Sequence, residues 1–276
     1  MAIINGVVRF SGKLGDLIFY RRGNKDMVRQ KPGTYQLSDN SRKSACDFGE
    51  ASRQAAYIRR AFAPLLKLYA CGNVTSRLTK RMAEIFKTIP AENAGNKKLF
   101  QGNLSLLRGF EFNAATHLMQ LLHQMPQAKV NQAGFIFLQF PKTDLKQIVK
   151  LVPGADTFLI QLMVFDLGLV DDRFEVITIK DFSLGLDATY FPAVSLKIPF
   201  DTIGEKALMV AVGISFFKGN LRLGDRRYFA CNILHCWHLK DGVVVDFIVP
   251  RVEQLTDIQS EVDGLSWELE IEAGTI

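Results

Sequence analysis

The sequence predicts an α+β protein in which an N-terminal β-hairpin and helices precede an antiparallel β-sandwich. Three observations carry this prediction. Residues 12–31 read as short β-rich runs punctuated by glycine turns. Residues 41–89 repeat apolar side chains at alternating spacings of three and four. From residue 134 onward the pattern shifts to runs of Val, Ile, Leu and Phe separated by turn residues.

The elements follow in order. Residues 3–10 are β-rich and lead into a turn between Gly12 and Gly15. Residues 17–22 and 26–31 flank Gly23-Asn24, a hairpin signal because both residue types tolerate positive φ. Pro32-Gly33 ends the pairing. Phe48, Ala51, Ala55, Ile58, Phe62 and Leu65 then mark one stripe of a helix, which Pro64 is expected to kink or stop. Thr75 is the expected cap of a second helix with the stripe Leu78, Met82, Ile85 and Ile89. The polar stretch 91–98 is the best linker, giving a basic module over 1–95 and a mainly β domain over 96–276. Between them, Phe110-Glu111-Phe112 alternates like a strand and the AATHLMQLLHQ stretch reads as a short helix.

Strands are expected over 134–140, 157–166, 173–180, 193–200, 206–217, 228–239 and 243–249, with Asp241-Gly242 as a hairpin turn. In 193–200, Val194, Leu196, Ile198 and Phe200 share a face. In 206–217, Leu208, Val210, Val212, Ile214 and Phe216 alternate with Ala207, Met209, Ala211, Gly213 and Ser215. A last strand alternates Trp267, Leu269 and Ile271 with Glu268, Glu270 and Glu272, the charge pattern of a sheet edge.

Charge is distributed unevenly. Residues 1–110 hold 20 Lys and Arg against 7 Asp and Glu, whereas 111–276 hold 14 against 21. Within 251–276 there are seven acids and one Arg. A basic part joined to an acidic one points either to a polyanionic partner or to neutralisation inside the chain. The N-terminus lacks the basic start, apolar core and cleavage site of a secretory signal. No apolar run approaches the roughly 20 residues of a spanning helix. Cys46, Cys71, Cys231 and Cys236 are too scattered for a disulfide framework. A cytoplasmic protein without membrane contact is the expectation.

Motifs for chemistry are scarce. A P-loop reading of Gly6 to Lys13 fails because five residues separate Gly6 from Gly12, Leu14 follows Lys13, and a strand comes next where a helix is needed. In CNILHCWH, residues 231–238, strand alternation sends Cys231 and His235 one way and Cys236 and His238 the other, short of the three or four ligands zinc takes. No Gly-x-Ser-x-Gly elbow or Gly-x-Gly-x-x-Gly loop occurs. Asp166, Asp171 and Asp172 straddle a turn, where acids are commonly just solvated. The sequence therefore assigns no catalytic residue, no metal ligand and no cofactor.

Basic residues interleaved with aromatics remain. Arg21, Arg22, Lys25 and Arg29 on the hairpin and Arg53 and Arg60 on the first helix are the expected contacts, each to a phosphate and none to a base edge. The expected function is non-catalytic binding of nucleic acid or another polyanion, an acidic protein surface included. The alternative is an assembly subunit that forms a homo-oligomer by strand addition through its N-terminal strands.

Gly12, Lys13, Gly15, Phe19, Tyr20, Gly23, Val28, Arg29, Lys31 and Pro32 form a pattern, G-K-x-G-x-x-x-F/Y, a basic glycine turn and V-R-x-K-P. With the Arg-rich helix that follows, it resembles uncharacterised proteins of Bacteroidota and N-terminal modules of some phage-encoded proteins. The resemblance implies a recurring module and a mobile-element or particle context. It transfers no functional residue.

Overall fold

Because residues 206–217 alternate large and small side chains, a sheet built on them needs a different neighbour on each face. The computed structural model, which describes residues 2–3, 11–33, 36–170, 173–178 and 181–248, supplies both. Helices cover the face with the smaller side chains, and a second sheet covers the other.

Strands β1 (Ala2–Ile3), β2 (Gly12–Leu14), β3 (Leu17–Arg22) and β4 (Lys25–Gln30) form an antiparallel sheet in the order β1-β4-β3-β2. Most of the strand expected over 3–10 lies outside the described residues. Gly23, at φ 60°, takes the left-handed conformation that the turn between β3 and β4 requires.

Helix α1 (Asp39–Ala61) begins where the Ser38 hydroxyl accepts the Ser41 N–H at 3.3 Å. Pro64 opens the next helix, α2 (Ala63–Tyr69), in a first turn where its missing N–H forfeits no bond. Helix α3 (Val74–Lys87) is capped by Asn73, whose Oδ1 accepts the Ser76 N–H at 3.1 Å. Thr75, the expected cap, already lies inside the helix. Both apolar stripes are buried as expected from Ala51 to Leu65 and from Leu78 to Ile89. Phe48 is the departure, 60% exposed, in the first half of α1, whose side chains are mostly exposed.

The helix expected near 115–125 shrinks to a single 3₁₀ turn, Leu118–Gln120. Its neighbour Phe110-Glu111-Phe112 does run like a strand, as described below. The β-rich part comprises β5 (Gln127–Asn131), β6 (Phe135–Phe140), β7 (Thr143–Asp144), a one-turn α4 (Leu145–Ile148), β8 (Thr157–Gly168), β9 (Phe174–Thr178), β10 (Phe182–Gly185), β11 (Tyr190–Phe191), β12 (Val194–Pro199), β13 (Glu205–Lys218), β14 (Leu221–Arg222), β15 (Phe229–Lys240) and β16 (Val243–Val244). Among the described residues, the larger sheet follows β10-β8-β13-β15-β16, with β9 on β8 and β14 on β13. A smaller sheet runs β12-β6-β5, and both are antiparallel throughout. Asp241 and Gly242 turn β15 into β16 at φ 49° and 78°, as two positive-φ hairpin positions should. The expected strand over 267–272 and the acidic stretch 251–276 lie outside the described residues, as do Asp171 and Asp172.

Two cores flank the larger sheet. On one side Ile58, Phe62, Leu78 and Met82 meet Met163, Phe165, Met209, Ala211 and Cys231. On the other, Leu208, Val210, Val212, Ile214 and Phe216 meet Ile136, Leu138, Phe140 and Ile198 of the smaller sheet. The close approach on the helix side explains the small residues of β13. A Cβ on Gly213 would stand 2.8 Å from the Tyr69 ring, whose hydroxyl donates to Gln161 Oε1 at 2.7 Å. Helices from residues 1–95 and strands from 96–276 thus share one core, and the position-95 boundary does not separate two. The sheet β1–β4 contributes no described residue to either.

Candidate nucleic-acid interface

The register of the N-terminal sheet sorts its side chains. Arg22 pairs with Lys25, Arg21 with Asp26, Tyr20 with Met27, Phe19 with Val28 and Ile18 with Arg29, while Lys13 of β2 pairs with Ile18. Paired residues share a face and neighbours alternate. One face therefore carries Lys13, Arg22, Lys25 and Arg29 with Tyr20, Ile18 and Met27. The opposite face carries Leu14, Leu17, Phe19 and Val28, with Arg21 and Asp26 at its end.

Lys13, Arg22, Lys25 and Arg29 are all exposed. The Arg29 guanidinium lies 5.6 Å from the Tyr20 ring centroid, which holds it flat along the face. Arg22 and Lys25 stand directly opposite each other, an arrangement of like charges that destabilises a bare hairpin. A phosphate placed between them removes that repulsion.

The six expected contacts are therefore divided. Arg22, Lys25 and Arg29 share the basic face. Arg21 turns to the other face, where its Nε donates to the Gly23 carbonyl at 3.0 Å. Arg53 and Arg60 belong to α1. Arg53 is bound to Glu50 through Nη2 at 2.7 Å and Nε at 3.0 Å, so its charge is already matched. Arg60 lies over the Tyr57 ring at 4.7 Å, and Tyr57 meets Phe174 edge-on. Lys13 and Tyr20 were not among the expected contacts. Counting parity back from the Gly23-Asn24 and Gly15-Asp16 turns would have found both.

Much of the remaining positive charge serves the fold. Arg77 donates from Nη1 to the Glu111 carbonyl at 2.6 Å and from Nη2 to the Phe112 and Cys71 carbonyls at 2.9 and 3.2 Å. Lys97 donates to the Phe86 and Ile89 carbonyls at the end of α3, at 2.8 and 3.1 Å. Arg222 covers the Tyr69 and Phe229 rings. Burial lowers the pKa of Arg77 and of Arg222.

The other candidates resolve into structure. A bulge between Val210 and Ala211 of β13 leaves Leu234 of β15 unopposed, which resets the alternation of CNILHCWH. Cys231 and Cys236 consequently both pack toward the helices, with His238 on their side and bonded to Glu205 at 2.8 Å. His235 instead stacks on Trp237, centroids 4.9 Å apart. The split expected from unbroken alternation is thus wrong, because one inserted residue inverts every position after it. Burial pushes the Cys231 thiol up and the Cys236 thiol up to about 12, so neither is a ready thiolate. Among the described residues no three His, Cys, Asp or Glu converge as metal ligands.

Asp166 is paired with Lys206 at 3.1 Å, both nearly buried, and Asp201 approaches the same ammonium at 3.5 Å. They line a cleft of about 560 Å³ with Glu175, Glu205 and Arg173. Burial pushes the Asp166 carboxyl up despite its lysine partner.

No described helix is long and apolar enough to cross a membrane. Compared with known proteins, the chain matches no family model, no curated protein and no solved structure.

Proposed function

We propose that the protein binds nucleic acid without catalysis, through phosphate contacts made by Lys13, Arg22, Lys25 and Arg29. One observation carries the reading. The hairpin register sets Arg22 against Lys25 on a face with two further cations, and among the described residues no carboxylate lies within ion-pairing distance of any of the four. A twisted antiparallel sheet with such a face fits the phosphates flanking a groove or a single strand. The contacts are to backbone, so binding is insensitive to sequence and steeply dependent on salt.

Filter binding to mixed-sequence single- and double-stranded DNA across a salt series tests this. Each phosphate contact adds about 0.9 to the slope of log K against log salt on a duplex. Replacing Arg22, Lys25 and Arg29 by Ala is expected to lower the slope by about 3. Arg53→Ala, whose guanidinium is held by Glu50, is expected to leave it unchanged. No retention at about 50 mM salt, a concentration at which phosphate contacts are strong, refutes the function.

A further inference from the structure

We infer that a second site, apart from the hairpin, binds a nucleoside monophosphate: a cleft beside β15 stacks the base on His235 and holds the phosphate with Arg108 and Lys129. The cleft lies between residues 125–129, at the start of the edge strand β5, and residues 232–235 of β15. It encloses about 540 Å³, within the range of about 300–1,000 Å³ that small-molecule sites occupy. Its lining residues all belong to continuously described chain, from 108 to 129 and from 232 to 235.

Two kinds of chemistry line it. Met119, Met125 and Leu234 supply apolar wall, and thioethers pack favourably against aromatic rings. Arg108 and Lys129 are exposed at the cleft, and no acidic side chain lines it. Neither cation forms an ion pair among the described residues. Apolar wall with two unmatched positive charges fits an aromatic body that carries a strong anion. A phosphate monoester, at about −1.5 to −2 near neutral pH, matches two cations where a carboxylate matches one.

His235 supplies the stacking surface. The bulge that leaves Leu234 unopposed brings His235 and Trp237 opposite Val210 and Leu208 on one face of the sheet. Their rings stack with centroids 4.9 Å apart and planes 4° from parallel. His235 lines the cleft and Trp237 does not, so the pair presents its histidine end. An imidazole backed by an indole keeps its orientation, and a base laid on it extends the pile. Burial lowers the His235 pKa, and the Arg108 charge adds to the effect, so the ring is neutral at neutral pH. Every base has a π face, so the site tolerates all four, with purines held better than pyrimidines. None of this rests on the hairpin, whose cations lie on a separate sheet.

Isothermal titration calorimetry of the full chain with adenosine, guanosine, cytidine and uridine monophosphates tests the site. Saturable binding is expected, at one ligand per chain, with a dissociation constant below about 1 mM for the purines. Arg108→Ala and Lys129→Ala, both at exposed positions, are each expected to weaken it about tenfold. His235→Ala is expected to weaken it about tenfold and His235→Phe to restore it. No saturable heat with any of the four, or equal affinity in the Arg108→Ala, Lys129→Ala and His235→Ala variants, overturns the inference. Inorganic phosphate bound as tightly as the mononucleotides overturns the stacking, and benzoate bound as tightly overturns the phosphate assignment. The Arg22→Ala, Lys25→Ala variant is expected to bind mononucleotides as the parent does; a loss there assigns them to the hairpin and overturns the second site. Mononucleotide binding without retention of DNA upholds this site while the proposed function falls, and the reverse pair of results does the opposite.

Discussion

Glu111→Gln is expected to stabilise the protein, and the reason lies in one pair of residues. Residues 110–112 run along the edge of β15, with Phe112 N–H donating to the Cys231 carbonyl at 2.8 Å and Ile233 N–H to the Phe110 carbonyl at 3.1 Å. Glu111 thereby faces Asn232. Its Oε1 accepts from Leu118 N–H at 3.1 Å and from Asn232 Nδ2 at 3.3 Å, and His117 stands 3.8 Å away. Glu111 Oε2 and Asn232 Oδ1 are both buried with no donor. Burial pushes the Glu111 carboxyl above its ordinary range. A raised pKa means that the folded state prefers the protonated acid. The stabilisation is complete below the unfolded glutamate value and is lost as pH rises through the folded one. When ionised, the carboxylate sits beside two unmet acceptors, each an unpaired buried group costing about 1–3 kcal/mol. A glutamine amide in the Oε2 position carries no charge and offers a donor beside a residue whose Oδ1 has none. The expected gain is about 1–2 kcal/mol at about pH 8, falling toward zero near pH 4. Urea unfolding at several pH values measures it. A variant no more stable than the parent at about pH 8, or a gain that does not shrink with acid, refutes the argument.

Three further outcomes are expected. Gly213→Ala drives a methyl group into the Tyr69 ring at 2.8 Å, which should cost about 1–3 kcal/mol in chemical unfolding; an unchanged midpoint would contradict the packing of α2 on β13. Lys206→Met strands Asp166 in its cleft and should cost about 3–5 kcal/mol, most of it restored by adding Asp166→Leu, which a double-mutant cycle in urea reads directly. Asn73→Ala should lower stability by about 1 kcal/mol and Thr75→Ala by much less, a contrast in thermal unfolding that identifies the cap of α3.

How much of this was legible in the sequence depended on whether the deciding physics was local. Period-two alternation of side-chain type marked β12 and β13, whereas β8 and β15, buried on both faces over much of their length, read as strands from apolar runs bounded by turn residues. The large-small alternation of β13 also announced two unlike neighbours, although nothing local said that the small side faced Tyr69. Leu234 shows where the method stops. A bulge depends on pairing between strands distant in sequence, and it silently reversed the reading of His235 and Cys236. Asn73 and Thr75 were both good capping residues by type, and only the path of the chain leaving α2 selects between them.

The charge asymmetry was plain in the composition, but its meaning was not, because a cation's role is set by what it touches. Arg77 and Lys97 belong to the basic count of residues 1–110, yet both spend donors on main-chain carbonyls around α3. Arg53 spends its charge on Glu50. What remains unmatched on the described surface of the N-terminal sheet is a small set selected by register, and it is arranged against its own stability. A hairpin kept only for its fold would place opposite charges at the Arg22–Lys25 pair, as it does at Arg21 and Asp26 one step away. The like pair sits beside the unlike one on the same ribbon. That contrast, more than the net charge, directs the functional reading to an anion supplied from outside this sheet.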